Sequence, residues 1–390
     1  MRSMKLEIIL SILVCTTLCL NVHPVYCQTD DTIPVTQQQR ILLNSNILHL
    51  QRVIWIHTPS GYDQSNEIYP VLYILDGDIH FKFITELTEF LSGDEKNRIP
   101  KMLIVAILSD NRVSDFTPLP DSGLVSSGGG AHFLQFIRDE LVTYISSHYR
   151  TAPYRILAAH SLGGLFALYA KESAPELFQS EILMSPAFYG PNKKILLDFH
   201  SFLTHVGNLS GGMFITVGDE PVAKGRIDTL ADYLKQYAPS SLYWSYRSYP
   251  EDDHFSLPYT SMYDGLKFIY SGFYTNVWDD QHLPTRETIT EHFLRLSSKF
   301  GFMMTPGEEF VNTCGYKHLR MKHYDQAIDL FEFNIKNHPK SWNAYDSMGE
   351  AYMNAGNTKL AIENYEKSIA INPNNINAKE ILKKIKGPSK

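Results

Sequence analysis

The chain has 390 residues, of which 44% are hydrophobic and 20% charged, a composition typical of a soluble globular protein with room for two or three domains. Its formal net charge of −7 argues against electrostatic binding to nucleic acid or to an anionic membrane surface. Cysteine and histidine are not clustered at the spacing of metal ligands, so the sequence predicts neither a metal nor an organic cofactor.

The first 27 residues have the pattern of a signal peptide. Arg2 and Lys5 precede an apolar run over residues 8–20, which is too short to span a bilayer comfortably. Cleavage after Cys27 would fit this pattern. We therefore predict an exported protein, periplasmic or secreted, whose mature chain has no membrane span; an uncleaved membrane anchor is the alternative.

Three apolar runs predict the first strands of a sheet, at residues 41–57, 69–75 and 102–108. The second run leads directly to Gly77 and Asp78. A loop after a central strand can place a backbone N–H where a reaction builds negative charge on an oxygen. Gly77 or Asp78 is therefore a candidate donor to an oxyanion hole, with a simple Asp-Gly turn as the alternative.

Residues 109–130 are predicted to form a long loop without regular structure, and loops of this length are more often functional than not. Arg112 in this loop is a candidate to bind an anionic substrate. A structural ion pair between Arg112 and Asp115 is the alternative. A helix is predicted after the loop, over residues 133–149, from its helical spacing of apolar residues.

A serine then stands between a predicted strand, residues 154–159, and a predicted helix that begins near Leu162. Strand, sharp turn and helix with Ser161 at the turn are the context of a nucleophile elbow. Gly163 and Gly164 provide the small neighbours that the turn needs, whereas Ala159 replaces the usual glycine two residues before the serine. We interpret Ser161 as a nucleophile and the backbone N–H of Leu162 as a donor to the oxyanion hole.

Three later runs predict further strands, at residues 181–184, 213–217 and 242–249. Asp219 and Glu220 follow the second of these runs, and either could orient a histidine. His254 follows the last run and is the candidate general base, whereas His80 and His160 are interpreted as packing or surface groups. The chain order of serine, acid and histidine is the order of the α/β-hydrolase fold, and the alternation of strands and helices predicts a mostly parallel sheet flanked by helices.

An internal repeat of 34 residues occupies the C-terminal part of the chain. Glycine, alanine, aromatic and proline positions recur at this distance in the pairs Gly315 and Gly349, Ala327 and Ala361, Phe331 and Tyr365, and Pro339 and Pro373. The pattern predicts two tetratricopeptide-like helical hairpins followed by a capping helix over residues 377–386. Two repeats are few for a free-standing array, so we expect them to pack on the hydrolase domain or on residues 285–300. A peptide or protein partner for the repeats is the alternative to this structural role.

The predicted organisation is therefore a signal peptide at residues 1–27, an esterase domain at 28–280, a helical linker at 281–307, and repeats with a capping helix at 308–390. Cys314 shares an inward position with Met348 of the second repeat and is predicted to be a packing residue. It would be the one cysteine of the mature chain, so no intramolecular disulfide is expected.

The chain resembles the putative esterase family of α/β-hydrolases, the group related to esterase D and to enterochelin-type siderophore esterases. The resemblance covers about residues 45–275 and rests on four segments, at residues 69–77, 111–118, 156–164 and 250–254. It implies hydrolysis of carboxylic esters with Ser161 as nucleophile and His254 as base. Residues 218–221 are similar to a Gly…Glu-Pro pattern of siderophore-cleaving relatives with one residue fewer, which favours Glu220 over Asp219 as the acid.

The sequence therefore predicts an exported serine esterase that acts on a small-molecule ester. A siderophore trilactone is the narrower alternative for the substrate. A catalytically silent hydrolase-like platform that binds a partner through its repeats is the alternative from another class, and the presence of serine, acid and histidine in workable order argues against it.

Overall fold

The computed structural model describes residues 38–93, 97–274 and 283–387. All of these residues belong to one compact unit, Thr36–Lys390. The predicted signal peptide, residues 1–27, lies outside the described residues. No helix of the described ranges is both long enough and apolar enough to cross a membrane.

An eight-stranded sheet forms the centre of this unit, with the strand order β1-β2-β4-β3-β5-β6-β7-β8. The first two strands pair antiparallel, whereas β3 to β8 run parallel to one another. The bounds are β1 Gln38–Ser45, β2 Leu50–His57, β3 Tyr69–Ile74, β4 Leu103–Ile107, β5 Thr151–His160, β6 Ser180–Met184, β7 Gly211–Val217 and β8 Leu242–Ser248. The prediction of an α/β-hydrolase fold is confirmed.

Helices cover both faces of the sheet because successive residues of its central strands point to opposite sides. In β3, Val71 and Tyr73 belong to one hydrophobic core, and Leu72 and Ile74 belong to the other. All six residues of β3 are buried, as a strand covered on both faces requires. The continuous apolar runs of the sequence therefore report burial between two layers of helices.

The helices of the hydrolase part connect the parallel strands. They are α1 Gly77–Ser92, α2 Arg112–Phe116, α3 Gly130–Gln135, α4 Val142–His148, α5 Leu162–Ser173, α6 Lys194–His205, α7 Pro221–Tyr237 and α8 Leu257–Ile269. A π-helical segment, Phe136–Leu141, joins α3 to α4 into one continuous helical stretch. This stretch corresponds to the helix predicted at residues 133–149 and begins three residues earlier, at Gly130. The prediction that residues 109–130 lack regular structure is wrong over α2, whose five residues give too short a pattern to detect.

Six helices follow in the C-terminal region. Their bounds are α9 Arg286–Phe300, α10 Glu308–Arg320, α11 Tyr324–Asn337, α12 Trp342–Asn354, α13 Thr358–Ile371 and α14 Ile376–Lys386. The pairs α10/α11 and α12/α13 lie where the two repeats are predicted, and α14 lies at the predicted capping helix.

The repeats pack on the hydrolase part through one continuous hydrophobic core. Phe293 of α9 and Val311 and Cys314 of α10 lie in the same cluster as Leu72 of β3 and Met262 of α8. Cys314 is fully buried, and burial raises the pKa of its thiol to about 12, so it has the character of a packing residue. The expectation that the short array leans on the hydrolase part agrees with these contacts.

Candidate active site

The strand-to-helix turn after β5 holds Ser161 in a strained backbone conformation. Ser161 has φ 57° and ψ −118°, a region that L-residues other than glycine rarely adopt. Two backbone hydrogen bonds fix it to the loop after β6, from Ser161 N to Met184 O at 2.8 Å and from Ala187 N to Ser161 O at 3.0 Å. Since the turn is anchored on both sides, its side chain is presented at the carboxyl end of the sheet, as a nucleophile elbow requires.

Small residues around the turn allow strand and helix to approach each other. A Cβ on Gly164 would lie 3.0 Å from Pro186 Cα, in the loop that anchors the serine. A Cβ on Gly163 would lie 3.5 Å from the Ala159 Cβ. That distance is an ordinary van der Waals contact, so the methyl group of Ala159, where glycine is usual, fits beside the helix without strain.

Glu220 and His254 meet at the ends of β7 and β8. His254 Nδ1 lies 2.6 Å from Glu220 Oε2, and the second oxygen, Oε1, is buried without a hydrogen-bond partner among the residues that the structure describes. Asp219 is exposed, and its backbone N–H donates to Asp252 O at 2.7 Å. Of the two acids predicted as alternatives, Glu220 therefore contacts the histidine, whereas Asp219 joins the two loops through its backbone.

Glycine is required at the point where those two loops approach. A Cβ on Gly218 would lie 2.5 Å from Asp252 O, well inside van der Waals contact. Glu220 N also donates to Gly218 O at 2.9 Å, which turns the acid toward α7. The distance between acid and histidine is thus set by backbone packing as well as by the hydrogen bond itself.

Among the described residues, backbone amides at the starts of two helices have no acceptor, and they include those of Gly77 and Asp78 in α1 and of Leu162 in α5. Unpaired N–H groups at helix starts carry partial positive charge and can bind an anion. The residues face each other along the sheet, because Ile74 of β3 is in register with Ala158 of β5. A Cβ on Gly77 would lie 2.8 Å from the Ala106 Cβ, so only glycine allows α1 to start this close to β4.

Arg112 does not pair with Asp115, and this predicted alternative is wrong. Its Nε and NH2 groups donate to the two carboxylate oxygens of Asp76 at 2.8 and 3.0 Å, and NH2 also donates to His160 O at 3.3 Å. Asp115 instead pairs with the buried Arg52 of β2 at 2.7 Å. The prediction rested on closeness in sequence, whereas the fold forms both pairs between distant segments of the chain. Arg112 and Asp76 are 36 residues apart, and Arg52 and Asp115 are 63 residues apart.

His160 and His80 lie against the candidate base. The His160 ring is 4.4 Å from the ring of His254 and 6.0 Å from that of His80, measured between centroids. Burial lowers the pKa of His160 to about 3, helped by the neighbouring His254, His80 and Arg112. Burial also lowers the pKa of His80. The interpretation of both as packing groups agrees with this burial. The contact between His160 and His254 could not be predicted, because it joins residues 94 positions apart.

The hydrogen bonds of the described residues include none between the Ser161 hydroxyl and the His254 ring. Catalytic hydrogen bonds are often long before substrate binds and shorten in the complex. Among the described residues there is also no group of three or more His, Cys, Asp or Glu side chains that could hold a metal ion.

Comparison with protein families identifies two regions of the chain. The family described as "Putative esterase" matches residues 45–255, more than half of the 390 residues. This range contains Ser161, Glu220 and His254. The tetratricopeptide repeat family matches residues 342–375, which include α12 and α13.

Two curated relatives from Bacillus subtilis (strain 168) align with the hydrolase part. The uncharacterized protein YbbA is 25% identical over 176 residues, which are 42% of this chain and 67% of YbbA. The ferri-bacillibactin esterase BesA is 31% identical over 173 residues, which are 39% of this chain and 60% of BesA. The chain thus matches about two thirds or less of the length of these relatives.

A solved structure extends the similarity. An IroE-like serine hydrolase from Shewanella oneidensis superimposes with a TM-score of 0.69 at 26% identity, and the match covers 76% of this chain and 99% of that one. The likeness therefore includes almost the whole of that serine hydrolase.

Proposed function

Because this chain belongs to the putative esterase family and is thereby a carboxylic ester hydrolase, we propose that it is a serine esterase that forms an acyl-enzyme on Ser161. The observation that carries the proposal is a histidine bonded to Glu220 at the same carboxyl edge of the sheet that presents the strained Ser161. Nucleophile, base and acid come from the ends of β5, β8 and β7, in the chain order of this fold.

In the first half of the reaction, His254 Nε2 removes the hydroxyl proton as Ser161 Oγ attacks the ester carbonyl carbon. The tetrahedral intermediate collapses when the bond between the former carbonyl carbon and the alcohol oxygen breaks. The imidazolium returns the proton to that oxygen as the alcohol leaves. In the second half, His254 takes a proton from water as the water oxygen attacks the acyl carbonyl carbon. The bond between that carbon and Ser161 Oγ then breaks, the carboxylic acid leaves, and the imidazolium returns its proton to Ser161 Oγ. Glu220 holds the Nδ1–H of the imidazole and stabilises its charged form.

We assign two hydrogen-bond donors to the negatively charged oxygen of the tetrahedral intermediate, the amide of Leu162 and that of Gly77 or Asp78. The three amides lack other described acceptors, which supports this assignment. Donors fixed before the reaction need no reorganisation in the transition state, and removing one such donor typically costs about 10²–10³ in rate.

A siderophore trilactone is the second candidate substrate. The observation that favours it is the 31% identity to BesA, which is named as a ferri-bacillibactin esterase. A trilactone contains three ester bonds, so it would be cleaved by the same acyl-enzyme chemistry as a simple ester.

We further propose that the protein is exported, from the signal-peptide pattern of residues 1–27, and that the repeats chiefly cover the hydrolase part. The shared hydrophobic core supports this structural role, because Val311 and Cys314 of the first repeat are buried in the same cluster as Met262 of α8. A peptide partner bound by the repeats is the alternative role.

The test is hydrolysis of short p-nitrophenyl esters and of a catecholate trilactone by the chain without residues 1–27, beside Ser161→Ala and His254→Ala. Turnover that is lost in both variants, with unchanged circular dichroism, is the expected result. A folded wild-type protein that is no more active than Ser161→Ala on every ester would contradict the esterase proposal and favour a catalytically silent binding platform.

A further inference from the structure

Arg112 connects three neighbouring strands at the carboxyl edge of the sheet. It follows β4, it binds the carboxylate of Asp76 at the end of β3, and it donates to the carbonyl of His160 at the end of β5. These strands are adjacent in the order β4-β3-β5. The guanidinium group thus bridges the two loops that lie on either side of the candidate oxyanion hole.

The two acceptors directly precede the residues that matter for chemistry. Asp76 is the residue before Gly77, and its backbone has the left-handed values φ 52° and ψ 48°. His160 is the residue before Ser161. Because residues other than glycine rarely adopt φ near 50° without support from their surroundings, neighbouring contacts must hold Asp76 in place.

The contacts of Asp76 supply that restraint. Its side chain is only 3% exposed, and it accepts hydrogen bonds from both Arg112 groups and from the Ser109 hydroxyl at 3.2 Å. A two-point bond between guanidinium and carboxylate fixes orientation as well as distance, which a lysine could not do. The Arg112 guanidinium also lies 5.4 Å from the centroid of the Phe116 ring.

We infer that Arg112 is a positioning residue that sets the distance between the amides of Gly77 and Asp78 and that of Leu162. This role replaces the substrate contact that its loop position suggested, because Nε and NH2 already bond to Asp76 and His160. The inference rests on the proposed esterase function, since it concerns the oxyanion hole of that reaction.

The experiment compares two esters that share the acetyl group and the phenolic leaving group but differ in charge, methyl 4-acetoxybenzoate and 4-acetoxybenzoate. For Arg112→Gln we expect kcat to fall by about 10–100-fold on both esters with KM changed by less than about 2-fold, because displaced transition-state donors cost rate rather than ground-state binding. Arg112→Lys should lie between wild type and Arg112→Gln. The double variant Asp76→Asn/Arg112→Gln should lose no more than Arg112→Gln alone, as expected for residues that act as one unit.

Arg138→Gln is the matched control. Arg138 binds Asp139 through the same two groups, at 2.7 and 3.0 Å, but on the helix surface, where it should leave kcat and KM unchanged. Titration of reactive serine with diethyl p-nitrophenyl phosphate gives the folded, competent fraction of each variant, so that loss of fold is separated from loss of rate.

A rise of KM for the anionic ester alone, with normal kcat on the neutral ester, would overturn the inference and make Arg112 a substrate contact while leaving the esterase function intact. Additive losses in the double variant would also overturn it. If wild type and Ser161→Ala hydrolyse both esters equally slowly, the proposed function fails, and the inference fails with it.

Discussion

The carboxyl edge of the sheet and the helical repeats differ in backbone conformation. At the edge, Asp76, Ser161 and Ser185 follow the adjacent strands β3, β5 and β6, and each has a positive φ. Asp76 and Ser185 are buried, so their conformations are imposed by tertiary contacts. Among the described residues of the C-terminal helices, the one non-glycine with positive φ is Lys322, in an exposed turn.

In the repeats, the local contacts are helix caps and close packing, which stabilise the helices. Ser341, Asn357 and Asn375 cap the starts of three helices with side-chain hydrogen bonds. Gly315 and Gly349 let aromatic rings of the paired helices pack against the backbone. The difference teaches that strain is concentrated where chemistry is proposed, so substitutions at the edge should change rate and substitutions in the repeats should change stability.

The largest expected effect belongs to the carboxylate that contacts His254. Glu220→Gln should lower kcat by about 10³–10⁴-fold, because the amide neither fixes the required tautomer nor stabilises the charged imidazole. Asp219→Asn, the matched control, should stay within about 2-fold of wild type, since its side chain is exposed. Steady-state kinetics together with thermal melts test both. A large loss in Asp219→Asn with a small one in Glu220→Gln would reverse the assignment of the acid.

A smaller effect, on stability, is expected from the second repeat. A Cβ on Gly349 would lie 2.9 Å from ring atoms of Tyr365, which is fully buried. Gly349→Ala should therefore lower the free energy of unfolding by about 1–3 kcal/mol and leave kcat/KM unchanged. Gly225→Ala in α7, where nothing lies within 4 Å of the added methyl, should raise that free energy by about 0.5–1 kcal/mol. Urea unfolding measures both values, and equal stability of the two variants would contradict the packing argument.

Another expected effect is a change in the pH dependence of stability, caused by a buried histidine at the edge. The folded-state pKa of His160 is about 3, compared with an ordinary 6.5. Between these pH values the unfolded chain binds a proton that the folded chain excludes, so the free energy of unfolding falls as pH falls, by up to about 1.4 kcal/mol per unit.

The variant His160→Asn should reduce that slope by the share of His160, whereas His49→Asn, at an exposed position, should leave it unchanged. Urea unfolding at several pH values between 4 and 6.5 gives the comparison. Parallel curves for wild type and His160→Asn would show that burial of this ring does not govern the acid sensitivity.

The sequence by itself determined the features that depend on local pattern. Apolar runs predicted the buried strands, the 34-residue period predicted the helical hairpins, and the confirmed α/β-hydrolase fold followed from the alternation of strands and helices. Ser161 and His254 were found by their positions after strands. Their catalytic roles, like the predicted domain boundaries, stay predictions.

Only the tertiary structure decided which polar groups meet. Position after a strand could not separate Glu220 from Asp219, because both follow β7, and only the family resemblance favoured Glu220. In the fold, the difference arises from the way Gly218 packs on the next loop. The sequence suggested Asp115 as a partner of Arg112, whereas in the fold Arg112, which follows β4, binds Asp76, which follows the adjacent strand β3. Hydrophobic periodicity is a property of neighbouring residues and can be read from the sequence. An ion pair or a ring contact between distant residues depends on strand order and register, which exist only in the folded chain.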